Sequence, residues 1–68
     1  MSEITFIYNG KESKILFLSN QTIKEIFQQF SNLNNLDINT LSFFYKGKEI
    51  IEDLFGSYFL FPYFCKQK

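Results

Sequence analysis

The chain holds few residues able to make or break bonds. Its one thiol is Cys65, and it has no histidine. A nucleophilic cysteine needs a base such as His, or a strongly electropositive setting, to hold the thiolate. Only Lys66 and Lys68 lie beside Cys65 in sequence, so an inert thiol is expected. The carboxylates are Glu3, Glu12, Glu25, Asp37, Glu49, Glu52 and Asp53. Glu52 and Asp53 are adjacent, and in a strand they would point to opposite faces. No spacing matches a hard-cation loop, and one thiol without imidazole cannot form a zinc set. No cofactor and no metal is expected, and the chain reads as non-enzymatic. Gly10 and Gly47 stand singly in turn-like sequences, which suits turn chemistry better than a phosphate cradle. Lys11 and Lys48 sit in the same turns and read as solvated charge.

With catalysis disfavoured, composition bounds the partners. The chain has 68 residues, enough for one domain. A chain this short buries only about 60% of its unfolded surface. Seven basic and seven acidic residues cancel, and every basic residue is Lys. Nucleic-acid binders normally carry a basic excess, and without Arg there is no bidentate fork for phosphate or base edges. Zero net charge also gives no pull towards anionic lipid. The opening residues lack a basic region followed by an apolar run, so no signal peptide is expected. No stretch approaches the ~20 apolar residues of a membrane span. A single thiol suits a reducing compartment, so the cytoplasm, or the nucleus, is the expected location. Phe, Ile, Asn, Lys and Tyr make up 35 of the 68 residues, while Ala, Val, Arg, His and Trp are absent. AT-rich codons encode those favoured types, so the aromatic excess is by itself weak evidence of function.

The elements that position these residues follow from periodicity. Ile4, Phe6 and Tyr8 alternate with Thr5 and Ile7, a strand pattern. Asn9-Gly10 centres a turn, and residues 13–18 read as the returning strand. With residues 9–12 as the loop, Phe6 faces Ile15 and Ile4 faces Phe17, while Ile7, Leu16 and Leu18 point the other way. Thr22-Ile23-Lys24-Glu25 has capping-box spacing. Ile23, Ile26, Phe27, Phe30 and Leu33 then mark one apolar face of a helix of roughly three turns, with Lys24, Glu25, Gln28, Gln29 and Ser31 on the wet face. The helix is expected to end within residues 32–35, where Asn tolerates a left-handed cap. Residues 40–45 form the next strand, with Leu41, Phe43 and Tyr45 on one face and Ser42 and Phe44 on the other. Lys46-Gly47-Lys48 is a turn and residues 49–51 a short strand. After residue 53 the pattern dissolves into an apolar run broken by Gly56, Ser57 and Pro62. Pro62 cannot donate to a ladder, which makes residues 59–65 a poor central strand, and Lys66-Gln67-Lys68 reads as a frayed end. There is no internal repeat or linker.

Hairpin, capped helix, then a strand with a Gly turn is the order of the ubiquitin-like β-grasp family, which this chain resembles over residues 3–54. Thr22-Ile23 with Ile26 and Phe30 looks like the opening of the family helix, and Leu36-Asp37-Ile38 like the loop after it. Residues 42–50 carry a polar, apolar, apolar, aromatic, x, Gly, Lys, x, apolar signature. The resemblance implies an α+β fold, ββαββ, in one domain spanning residues 1–68, with residues 54–68 divergent and the final strand imperfect or missing. It implies a core of Ile4, Phe6, Ile15, Phe17, Ile23, Ile26, Phe27, Phe30, Phe43, Tyr45 and Ile50. It also implies a protein-binding site centred on outward Phe44, with Tyr8 as a second patch position and Lys46, Gly47 and Lys48 beside it. The sequence ends Cys65-Lys66-Gln67-Lys68 and not in the Gly-Gly of conjugated family members, so no conjugation is expected.

Two functions are weighed on these grounds. The first is a non-conjugated ubiquitin-like interaction module, whose apolar sheet face meets a protein partner of ubiquitin-receptor type. The alternative is a truncated fragment of a larger ubiquitin-like-domain protein with no independent activity, suggested by the lost pattern after Asp53. A membrane role for residues 58–64 is disfavoured, because they lack the basic polar face of an interfacial helix. Packing as a makeshift fifth strand suits them better.

Overall fold

The computed structural model describes residues 2–52 and 62–68. Two seven-residue strands, β1 (Ser2–Tyr8) and β2 (Lys11–Phe17), form the opening hairpin. Its loop is the pair Asn9-Gly10, with φ of 52° and 75°. Positive φ at both central residues is the primed turn whose twist matches the strands. The two-residue loop corrects the expected register: Ile4 pairs with Ile15 and Phe6 with Ser13. The shift is by two residues, so every side chain keeps its predicted face. A Cβ added at Gly10 would meet no atom within 4 Å. Gly10→Ala is therefore a purely conformational change, expected to cost about 1–2 kcal/mol as a lowered urea midpoint with an unchanged slope.

Helix α1 (Ile23–Leu33) is closed at both ends by local chemistry. The Glu25 N–H donates to Thr22 Oγ1 at 3.3 Å, and the Thr22 N–H donates to Glu25 Oε1 at 2.8 Å. That is the reciprocal box expected from the sequence. At the far end Asn35 takes φ 55°, the Leu36 N–H reaches the Ser31 carbonyl at 2.9 Å and the Asn35 N–H the Asn32 carbonyl at 3.3 Å. These two bonds make a Schellman cap. Leu33, expected on the apolar face, is 67% exposed. Ser31, expected on the wet face, is buried, and its hydroxyl donates to the Phe27 carbonyl at 2.9 Å. One turn of 3₁₀ helix at Ile38–Thr40, capped by the Asp37 side chain, leads into β3 (Leu41–Tyr45). A second primed turn at Lys46-Gly47, φ 51° and 80°, leads into the short β4 (Lys48–Glu49).

The final strand is present and central, which corrects the expectation that it is imperfect or missing. β5 (Tyr63–Gln67) lies between β1, to which it runs parallel, and β3, to which it runs antiparallel, giving the order β2-β1-β5-β3-β4. Pro62 precedes the first strand residue and owes the ladder no N–H. Nor do the last residues fray: Lys66 pairs with Ser42, Gln67 with Leu41, and the Lys68 N–H donates to the Thr40 carbonyl at 2.8 Å. The lost centre that suggested a fragment is filled. The expected fifth-strand role of residues 58–61 lies outside the described residues.

α1 packs on one sheet face. The core joins Ile4, Phe6, Ile15 and Phe17 to Ile23, Ile26, Phe27 and Phe30, and to Leu41, Phe43, Tyr63 and Cys65. Tyr45 and Ile50, expected inside, are partly buried at its margin. Phe6 has no exposed surface, and the Phe27 and Phe43 rings stack at 3.9 Å with an interplanar angle of 7°. Among the described residues no helix is long and apolar enough to cross a membrane.

Candidate protein-binding face

The opposite sheet face is built by the residues that alternate with the core. On β1, Ile4 and Phe6 are buried, so Ile7 points outward. On β5, Tyr63 and Cys65 are buried, so Phe64 points outward and is 42% exposed. On β3, Leu41 and Phe43 are buried, and Phe44 points outward. Strand pairing sets these three side by side, because Ile7 partners Phe64 and Phe64 partners Phe44. The row continues to Glu12 on β2 and to Glu49 on β4. An apolar stripe three strands wide thus crosses the sheet and ends in a carboxylate on each side.

Lys66 lies two residues along β5 from Phe64, with its Nζ 5.7 Å from the Phe44 ring centroid. A cation at that range holds the ring by about 0.5–1 kcal/mol at an exposed site. Beside the stripe, Ile7, Asn9, Gly10, Phe64 and Lys66 line a shallow depression. The arrangement can do little covalent chemistry, but it can receive apolar side chains. Among the described residues no group of three or more His, Cys, Asp or Glu could hold a metal ion.

Of the five residues expected at the site, only Phe44 lies in the stripe. Tyr8 is on the helix side, where its ring meets Phe30 edge-on at 6.4 Å and its hydroxyl accepts from Gln67 Nε2 at 3.0 Å. It is two residues beyond Phe6 on the same strand, so the pleat that buries Phe6 turns Tyr8 away from Phe44. Lys46 and Gly47 form the β3–β4 turn, and Lys46 Nζ lies 5.4 Å from the Tyr45 ring. Lys48 pairs with Tyr45, which puts it on the helix side. Glu49 is therefore the residue beside Phe44. Sequence reasoning left Ile7 and Phe64 out of the site. The outward direction of Ile7 was legible from alternation, whereas Phe64 was hidden in an apolar run.

Cys65 faces the core at 3% exposure, and desolvation pushes its thiol up to about 11 from an ordinary 9.0. Iodoacetamide at pH 8 is expected to label it only as fast as the chain opens, so labelling should accelerate in step with urea unfolding. The raised value also fixes a sign. Between about 9 and 11 the folded state holds a proton that the unfolded chain releases, so this contribution to stability is full below pH 9 and lost as pH rises. The falling urea midpoint over that window should flatten in Cys65→Ser.

No protein-family model matches the sequence, and no curated protein does. Among solved structures, the chain is similar to a computationally designed protein based on a human erythrocytic ubiquitin template, solved by NMR. The TM-score is 0.78 at 19% identity, covering 100% of this chain and 92% of that one. At that identity the likeness speaks for the fold alone: this chain has a ubiquitin-like α+β fold. It covers the whole length, so it runs through the final strand as well as through residues 3–54.

Proposed function

We propose that this chain is a non-enzymatic protein-interaction module that receives a partner of ubiquitin-receptor type on the outer sheet face centred on Phe44. The observation that carries the reading is the row Ile7–Phe64–Phe44. Three large apolar side chains on adjacent strands face away from the core that the described residues form against α1. Exposed apolar residues scattered singly need no explanation, whereas a contiguous row points to a docking surface. Aromatic residues flanked by polar ones are the usual anchors of such surfaces. Cys65 is buried with a raised thiol pKa, which suits binding over nucleophilic chemistry. The test compares the wild-type chain with Phe44→Ala against a panel of ubiquitin-receptor modules. Binding by the wild type that Phe44→Ala abolishes supports the proposal. Binding that survives the change removes its mechanism, and no binding to any module removes the partner class.

A further inference from the structure

We infer that the segment seated on this face is an amphipathic helix with basic flanks, running across the strands. The inference rests on the binding role proposed for the Phe44 face and specifies the chemistry of its occupant.

Geometry sets the shape. Ile7 and Phe44 lie on strands two spacings apart, about 10 Å. Apolar residues at i, i+4 and i+7 of a helix span about 10.5 Å along one side, so three successive anchors can meet Ile7, Phe64 and Phe44 in turn. An extended segment laid along the same line steps about 6.8 Å between side chains on one face and falls out of step with strands about 4.8 Å apart.

Charge sets the polarity. The stripe ends in Glu12 and Glu49, both exposed. They stand four strand spacings apart, about 19 Å. Among the described residues neither carboxylate has an ion pair or a hydrogen bond. A helix anchored at i, i+4 and i+7 brings residues near i−3 and i+10 over those two carboxylates, and Lys or Arg there complements both ends. The two lysines on this face lie off the line: Lys14 pairs with Thr5 one row away, and Lys66 covers the Phe44 ring from the side. Among the described residues a second copy of the chain offers no such helix, because the exposed side of α1 carries Lys24, Glu25, Gln28 and Asn32 with no apolar triplet.

The experiment titrates two synthetic helical peptides into the full chain, read by amide NMR. Both carry Leu at i, i+4 and i+7 in an Ala-rich frame. One has Lys at i−3 and i+10, and the other has Glu at those positions. The Lys-flanked peptide is expected to bind about five- to tenfold tighter at low salt, shifting Ile7, Phe44 and Phe64, with the ratio shrinking at high salt as exposed charges are screened. Glu12→Lys/Glu49→Lys should invert the preference. Equal affinities, tighter binding of the Glu-flanked peptide, or an unchanged preference in the double variant would overturn the inference. So would binding of neither peptide, or concentration-dependent shifts at Phe44 and Phe64 without peptide, which would name a second copy as the occupant. The binding role itself stands or falls separately, on the receptor panel and Phe44→Ala.

Discussion

Phe6→Ala is expected to leave a large part of the chain unfolded in water at 25 °C. The Phe6 ring lies at the meeting point of helix and sheet, with centroids 5.8 Å from Phe27, 4.7 Å from Phe30, 5.9 Å from Phe43 and 5.9 Å from Tyr63. Those rings come from α1, β3 and β5, so one truncation opens a cavity touching three elements. Removing a buried Phe costs about 3–5 kcal/mol. A domain of this size has a total stability of about 3–10 kcal/mol, so the loss approaches the whole at the lower end. Urea unfolding followed by circular dichroism reads it. Phe6→Leu, which keeps more of the volume, should lose less and still give a measurable transition. A Phe6→Ala midpoint equal to the wild type would contradict this account of the core.

Phe44→Ala should do the opposite: leave the fold and remove the binding. Phe44 is only half-buried, and its specific contact in the fold is the exposed Lys66 ammonium. Its loss is expected to cost less than about 1 kcal/mol of stability. A central aromatic anchor, by contrast, contributes about 2 kcal/mol or more to an interface, which is about 30-fold in affinity. Two measurements on one protein therefore separate the roles, because a core residue moves the urea midpoint and a docking residue moves the dissociation constant. Tyr8→Ala is the contrasting variant. Tyr8 packs on Phe30 from the helix side, so it should lower stability without a specific change at the outer face.

The first 50 residues were largely legible from local chemistry. Asn9-Gly10, the Thr22/Glu25 box and the Asn-rich helix end each announce a backbone geometry that needs no tertiary partner, and the box and the helix end form as expected. The hairpin loop closes in two residues where four are expected, which moves the register by two. Asn-Gly closes in two when both residues accept positive φ. What failed was the final strand. Tyr63-Phe64-Cys65-Lys66 alternates in burial, but its outward Phe64 merges with the apolar run before it, and its inward Cys65 is not a typical strand marker. Hydropathy alone cannot show period 2 when an outward position is Phe. Pro62 added to the error, since it forbids a central strand only if it lies inside one.

The geometry of the candidate face was legible in part for a related reason. Phe44 follows from alternation along β3, but its neighbours are set by which strands pair, and that depends on the strand the sequence concealed. Placing β5 between β1 and β3 is what sets Phe64 between Ile7 and Phe44. The same pleat explains why Tyr8 and Lys48 fall on the helix side although both are close to the site in sequence. Charge was misplaced likewise: Lys48 looked like the neighbour of Phe44, whereas strand pairing puts Glu49 there.

The most direct measurement is an amide-correlation NMR titration of the isotope-labelled 68-residue chain with a ubiquitin-receptor module. The account predicts a dispersed spectrum in which the amides of Ile7, Phe44, Phe64 and Lys66 shift together, while those of Lys24, Gln28 and Asn32 on the exposed side of α1 stay in place. Shifts confined to the helix side, or none at saturating module, would contradict the claim that the outer sheet face is where this protein binds.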